Sequence, residues 1–129
     1  MYKRQVGKSL CSDEDVALAK KIFAKKTATK IVLPSDHLVS TGPDGKAEEC
    51  SNVSIPSDKM GLDIGPSTVT NFQEILKSSK TVLWNGPMGF FEKEDFSKGT
   101  FAIARAIADS SAYSLVGGGD SVSLSLIHI

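Results

Sequence analysis

The chain has 129 residues, 40% hydrophobic and 23% charged, which suffices for one domain with its own core. Fifteen basic residues balance fifteen acidic ones, so no net field favours nucleic acid or an anionic membrane surface as partner. No apolar run approaches the roughly 18 residues of a membrane helix, "MYKRQVGKSL" has no apolar signal core, and Cys11 and Cys50 lack the spacing of a zinc or redox pair.

From Ser12 the pattern is helical. "SDEDVALAKKIFAKK" opens on an N-cap candidate, Ser12, followed by Asp13, Glu14 and Asp15. Val16, Ala19, Ile22 and Phe23 recur at helical steps, and lysines close the segment. Lys20, Lys21, Lys25 and Lys26 read as the solvated face of that helix. "KIVLP" (30–34) reads as a β-branched strand ended by proline. "STGPDGKAEECSN" reads as a hairpin-like excursion around Pro43, Asp44 and Gly45. "MGLDIGP" reads as a strand running into a break, and "STVTNFQEILKSS" as a helix that Ser67 caps or enters. "KTVLWNGP" is strand then turn, and "FEKEDFSKGTFAIARAIADS" is helical with Phe101, Ile103, Ala104 and Ile107 inward. "AYSLVGGGDS" is strand, glycine turn and the start of a helix.

Strands therefore alternate with helices. "TVLW" and "YSLV" show little in–out alternation, as in parallel strands buried on both faces. The expected fold is α/β: a Rossmann-like open, mainly parallel sheet with helices on both faces. Ligands in such sheets sit beyond the carboxyl ends of strands, where "DIGP", "WNGP" and "GGGDS" all fall.

The glycines of "GGGDS" would let a phosphate approach the amides of a helix N-terminus. Asp120 would repel that phosphate by about 4 kcal/mol at about 4 Å in an effective dielectric near 20. Either a divalent cation lies between them, or Asp120 caps the helix and the glycines serve a tight turn. Trp84 suits the core better than a stacking role. Glu92 fits either a ribose diol or a helix's first turn. Asp36 and His37 in "LPSDH" offer an acid–base couple, but no nucleophile motif accompanies them.

These segments carry a resemblance. "MGLDIGP", then "TVLWNGPMGFFE" with Phe96 and "GT" downstream, then "LVGGGDS" resemble, in order and spacing, the C-terminal domain of phosphoglycerate kinase. "VGKSL" and "KIVLPSD" also resemble it, so the likeness spans residues 6–122. It implies part of a nucleotide-binding domain, with residues 1–5 and 123–129 as flanking sequence. It implies a glycolytic kinase that moves a phosphoryl group between 1,3-bisphosphoglycerate and ADP, giving 3-phosphoglycerate and ATP. Such a parent enzyme would be cytoplasmic and monomeric, and would use Mg²⁺. By motif match, Gly118 and Gly119 would present catalytic backbone amides to the nucleotide phosphates. Asp120 would serve Mg²⁺, and Ser121 would help hold phosphate. Glu92 would hold the ribose, Gly61 and Leu62 would lie against the base, and Asn85 and Pro87 would lie near the nucleotide. An N-terminal domain outside this sequence would hold 3-phosphoglycerate, so the fragment is expected to be inactive alone. The alternative is a free-standing, non-catalytic nucleotide-binding module.

Overall fold

The computed structural model describes residues 6–25 and 27–128, with residues 124–128 described by their backbone only. The expected flanking segment 1–5, and Lys26 of the solvated face, lie outside the described residues.

The first helix, α1 (Asp13–Ala24), forms for local reasons. Ser12 Oγ accepts the Asp15 amide at 3.1 Å, and the Asp15 carboxylate accepts the Ser12 amide at 2.9 Å. This reciprocal cap satisfies two otherwise orphaned donors. No residue of α1 is buried, however: Val16, Ile22 and Phe23 are 39%, 46% and 57% exposed.

Residues 30–34 do not form the expected strand. Ile31 and Leu33 are nearly half exposed, and strand pairing begins only at His37. The β-branched run has the right propensity, but no partner strand lies beside it among the described residues, and a strand needs its ladder. Strand β1 (His37–Ser40) pairs antiparallel with β2 (Glu48–Cys50) across the "GPDG" turn. It also pairs antiparallel with β3 (Met60–Ile64), giving the order β2-β1-β3.

After β3 come α2 (Pro66–Lys77), β4 (Thr81–Asn85), a 3-10 turn (Glu94–Phe96), α3 (Lys98–Ala108), β5 (Tyr113–Gly117) and α4 (Gly119–His128). Strands β4 and β5 are parallel and in register from Thr81 opposite Tyr113 to Asn85 opposite Gly117. A crossover through α3 joins them, as parallel pairing requires. The α/β class and the parallel strand–helix–strand unit hold. The described parallel sheet has two strands, and the other three strands form the antiparallel sheet.

The core lies on one side of the β4–β5 sheet. Ile64, Trp84, Ile103, Ala104 and Ile107 form it, with Val82, Val116, Val69 and Phe72 packed around them. Phe101 is half-buried against the same cluster. Burying an isoleucine of this kind is worth about 1.5–3 kcal/mol. The opposite face corrects the expectation of double burial: Leu83 and Leu115 are 72% and 48% exposed. Burial therefore alternates along β4 although its sequence is largely apolar, whereas in β5 the first three residues are exposed and only Val116 and Gly117 are half-buried. Only one face has helices against it among the described residues.

Helices α2 and α3 are capped from a distance. The N-cap of α2 is Gly65, which has no side chain to offer. The Asp36 carboxylate takes over, accepting the Ser67 amide at 2.8 Å, the Thr68 amide at 2.7 Å and the Thr68 hydroxyl at 2.5 Å. A Cβ on Gly65 would lie 2.4 Å from that carboxylate, so the fastening needs glycine there. Ser67 is thus inside the helix and not its cap. The N-cap of α3, Ser97, makes no side-chain cap bond, and the buried Asp63 of β3 accepts the Gly99 amide at 2.8 Å instead.

Candidate functional site

Strand β3 is an edge strand, and its outer edge is used by two loops. The Gly61 amide donates to Ser9 Oγ at 2.9 Å, and the Leu62 carbonyl accepts the Phe90 amide at 2.7 Å. Between these attachments runs a groove of about 850 Å³. Gly61 and Leu62 contribute to one wall, Ser9 and Leu10 to another, and Pro87 and Phe90 to a third. Its lining is largely apolar, which suits a flat heteroaromatic group better than a phosphate. Gly61 has a packing reason of its own, since a Cβ there would lie 2.7 Å from the tip of Ile55.

The second part of the site lies at the carboxyl ends of β4 and β5. The pairing of Asn85 with Gly117 sets the "NGP" turn beside the glycine turn. Asn85 Oδ1 would lie 3.0 Å from a Cβ on Gly117 and 3.3 Å from one on Gly118. Gly118 also has φ +82, a left-handed conformation that side chains disfavour. A Cβ on Gly119 would meet nothing within 4 Å, so space is open above the start of α4. The turn thus uses Gly117 for close approach to Asn85, Gly118 for the bend and Gly119 for access. The first amides of α4 lack intrahelical acceptors and carry the positive end of the helix dipole.

Ser121 lies in the first turn of α4, where the resemblance sets it near phosphate. It is fully buried, and its Oγ accepts the Gly86 amide at 2.8 Å, tying the two turns together. Asp120 is exposed in the first turn of α4. No cluster of three or more potential metal-ligating side chains occurs among the described residues. A lone exposed carboxylate beside open space still fits Mg²⁺, which takes one or two protein carboxylates and completes its shell with phosphate oxygens and water.

Glu92 is exposed and lies two residues beyond Phe90 of the groove wall. The first-turn reading fails for it, because the 3-10 turn begins at Glu94 and α3 at Lys98. Beside it, Lys93 Nζ reaches Asp44 Oδ1 at 2.6 Å, holding the β1–β2 turn to this segment. The acid–base couple also fails: the Asp36 carboxylate is committed to the N-terminus of α2. Burial works to raise the Asp36 pKa, but the Thr68 hydroxyl and the Ser67 and Thr68 amides outweigh it and hold the carboxyl below its ordinary value. Trp84 lies in the core, as its residue type suggests. Phe90 was not expected from sequence, and the helix expected from Phe91 begins only at Lys98, after a short 3-10 turn at Glu94–Phe96.

No described helix is long and apolar enough to cross a membrane. The sequence model described as phosphoglycerate kinase matches residues 1–126. The chain is 46% identical over 120 residues to phosphoglycerate kinase of Clostridium botulinum, covering 91% of this chain and 30% of that protein. It is 48% identical over 118 residues to phosphoglycerate kinase of Lactobacillus delbrueckii subsp. lactis, covering 90% and 29%. The structure of phosphoglycerate kinase from Coxiella burnetii superposes with a TM-score of 0.88 at 37% identity, over 94% of this chain and 32% of that one. The chain spans about 30% of the length of these curated relatives.

Proposed function

The chain belongs to the phosphoglycerate kinase family, and on that premise we propose that residues 6–122 are part of its nucleotide-binding C-terminal domain. The parent enzyme moves a phosphoryl group between 1,3-bisphosphoglycerate and ADP. One observation carries the assignment to the nucleotide side: Asn85 and Gly117 are paired neighbours, so the "NGP" and "GGGD" turns share one sheet edge.

In this reading the base enters the apolar groove over Gly61 and Leu62, against Pro87. Glu92, exposed beyond the Phe90 wall, accepts the ribose hydroxyls. The phosphates reach the open space above Gly119, where the α4 amides and dipole stabilise negative charge. Asn85 keeps the two turns in register. Asp120 would hold Mg²⁺, which when bound neutralises charge on the phosphates. Ser121 holds Gly86 in place and so acts on the phosphate side through the backbone. The groups that grip phosphoglycerate belong to the rest of the enzyme, and the 129-residue chain is expected to bind Mg-ADP without turning it over. Phosphoglycerate-dependent ATP turnover by a preparation free of host enzyme would overturn that expectation.

The test is a calorimetric titration of Mg-ADP into the chain. Asp120→Ala should weaken Mg-ADP by about tenfold or more, the cost of losing a charge-assisted partner, and should abolish the sensitivity to chelator. Affinity unchanged by both the substitution and the chelator would remove the metal role of Asp120.

A further inference from the structure

Residues 87–90 line the groove, yet they belong to no helix or strand. A loop keeps one position only when its polar groups are fixed. The Gly86 amide donates to Ser121 Oγ, and the Phe90 amide donates to the Leu62 carbonyl. Between these two anchors, the Met88 and Gly89 amides both donate to Thr100 Oγ1, at 3.0 and 3.2 Å. Thr100 is 0% exposed and sits in the first turn of α3. That turn is itself held to β3, because Gly99 next to Thr100 donates to the Asp63 carboxylate. Gly89 has no room to retreat toward β3: a Cβ there would lie 2.5 Å from both the Leu62 carbonyl oxygen and Asp63 Oδ1.

We infer that Thr100 is a positioning residue for the nucleotide groove: through its hydroxyl oxygen it fixes the Met88 and Gly89 amides, and so the gap between Pro87 and Phe90 on one side and Gly61 and Leu62 on the other. The inference rests on the reading of that groove as the base site. Thr100 itself lies under the wall and touches no ligand. Valine has nearly the same shape but no acceptor, so Thr100→Val leaves two amides of the wall without their partner. Serine keeps the acceptor.

The experiment compares wild type, Thr100→Val, Thr100→Ser and Ile103→Ala, each titrated with Mg-ADP and with Mg-pyrophosphate, a probe that lacks the base. Ile103 is a core residue of the same helix and serves as the control for lost stability. Titrations are run at a temperature where every variant is folded by Trp84 fluorescence. Thr100→Val should lose about tenfold in Mg-ADP affinity and keep its Mg-pyrophosphate affinity. Thr100→Ser should restore ADP binding, and Ile103→Ala should leave both affinities unchanged. Amide exchange gives a readout independent of nucleotide: Met88 and Gly89 should exchange faster in Thr100→Val alone. A Thr100→Val variant with unchanged ADP affinity, or with ADP and pyrophosphate weakened in parallel, overturns the inference. Failure of the wild type to bind Mg-ADP overturns the base-site reading. Unaltered exchange at Met88 and Gly89 in Thr100→Val overturns the positioning role itself.

Discussion

Helices α1 and α3 are of similar length, and their local signals and their burial run in opposite directions. α1 has a reciprocal cap, three acids in its first turn and Lys21 in its last, yet buries no residue. α3 has no side-chain cap of its own and no acid in its first turn, yet buries Gly99, Thr100, Ile103, Ala104 and Ile107. Local signals decide whether a segment is helical. Partners far along the chain decide whether that helix is held in place. Helices α2 and α3 both borrow their caps from carboxylates 31 to 36 residues away.

The largest expected effect follows from burial. Ile103→Ala should cost about 2–5 kcal/mol, the usual range for a cavity left by a truncated core side chain. Phe23→Ala on α1 removes a larger side chain but should change stability by no more than about 0.5 kcal/mol, as for an exposed position. Urea unfolding followed by the chain's single tryptophan, Trp84, reads both. Equal costs would break the comparison, and would mean that α1 has partners in solution that the described residues do not contain.

The borrowed caps come next, and pH separates them. Asp36→Ala should cost about 2 kcal/mol at neutral pH, because the Ser67 and Thr68 amides lose their acceptor. The Asp36 pKa is lowered in the fold, so its contribution is fully present above about pH 4 and lost as pH falls through the folded value. Asp63 runs the other way. Its burial, opposed by the Gly99 and Ile64 amides, raises its pKa. The fold therefore binds that proton more tightly than the unfolded chain does. Stability falls as pH rises from about 4 toward the raised value. Asp36→Asn should flatten the acid limb of the stability profile, whereas Asp63→Asn should remove the decline above it. Identical profiles for the two variants would show that the caps are not electrostatically distinct.

What the sequence revealed follows the same division. The β1–β2 turn, the strands of "MGLDI" and "TVLWN", and the strand–glycine–helix order of "LVGGGDS" all rest on short-range chemistry, and all are where the residues put them. The meeting of "NGP" and "GGGD" at one edge was legible too, because parallel strands joined through a helix bring their carboxyl ends together, but "DIGP", expected on the same edge, follows β3 of the separate antiparallel sheet. "KIVLP" misled because a strand is defined by its neighbour, and composition does not name one. "TVLW" misled because an apolar run records tolerance of burial and not whether a second layer is present. Thr100 and Asp63 gave no local signal. A threonine inside a helical pattern reads as a mild helix destabiliser, and an aspartate inside a strand reads as a misfit. Their meaning lies in amides supplied by other elements.

The smallest expected effect sharpens the comparison most, because it tests the half with full local signals. Ser12→Ala removes the acceptor for the Asp15 amide and breaks the reciprocal cap. A cap of this type is worth about 1 kcal/mol to its helix. If α1 is held only by its own residues, that loss stays within α1: amides of its first two turns exchange faster, and the Trp84 unfolding transition does not move. Fraying confined to one helix is what a locally stabilised, unburied element must show. A parallel drop in the Trp84 midpoint would tie α1 energetically to the Ile64–Trp84–Ile103 core, and the contrast between the two helices would then be one of degree.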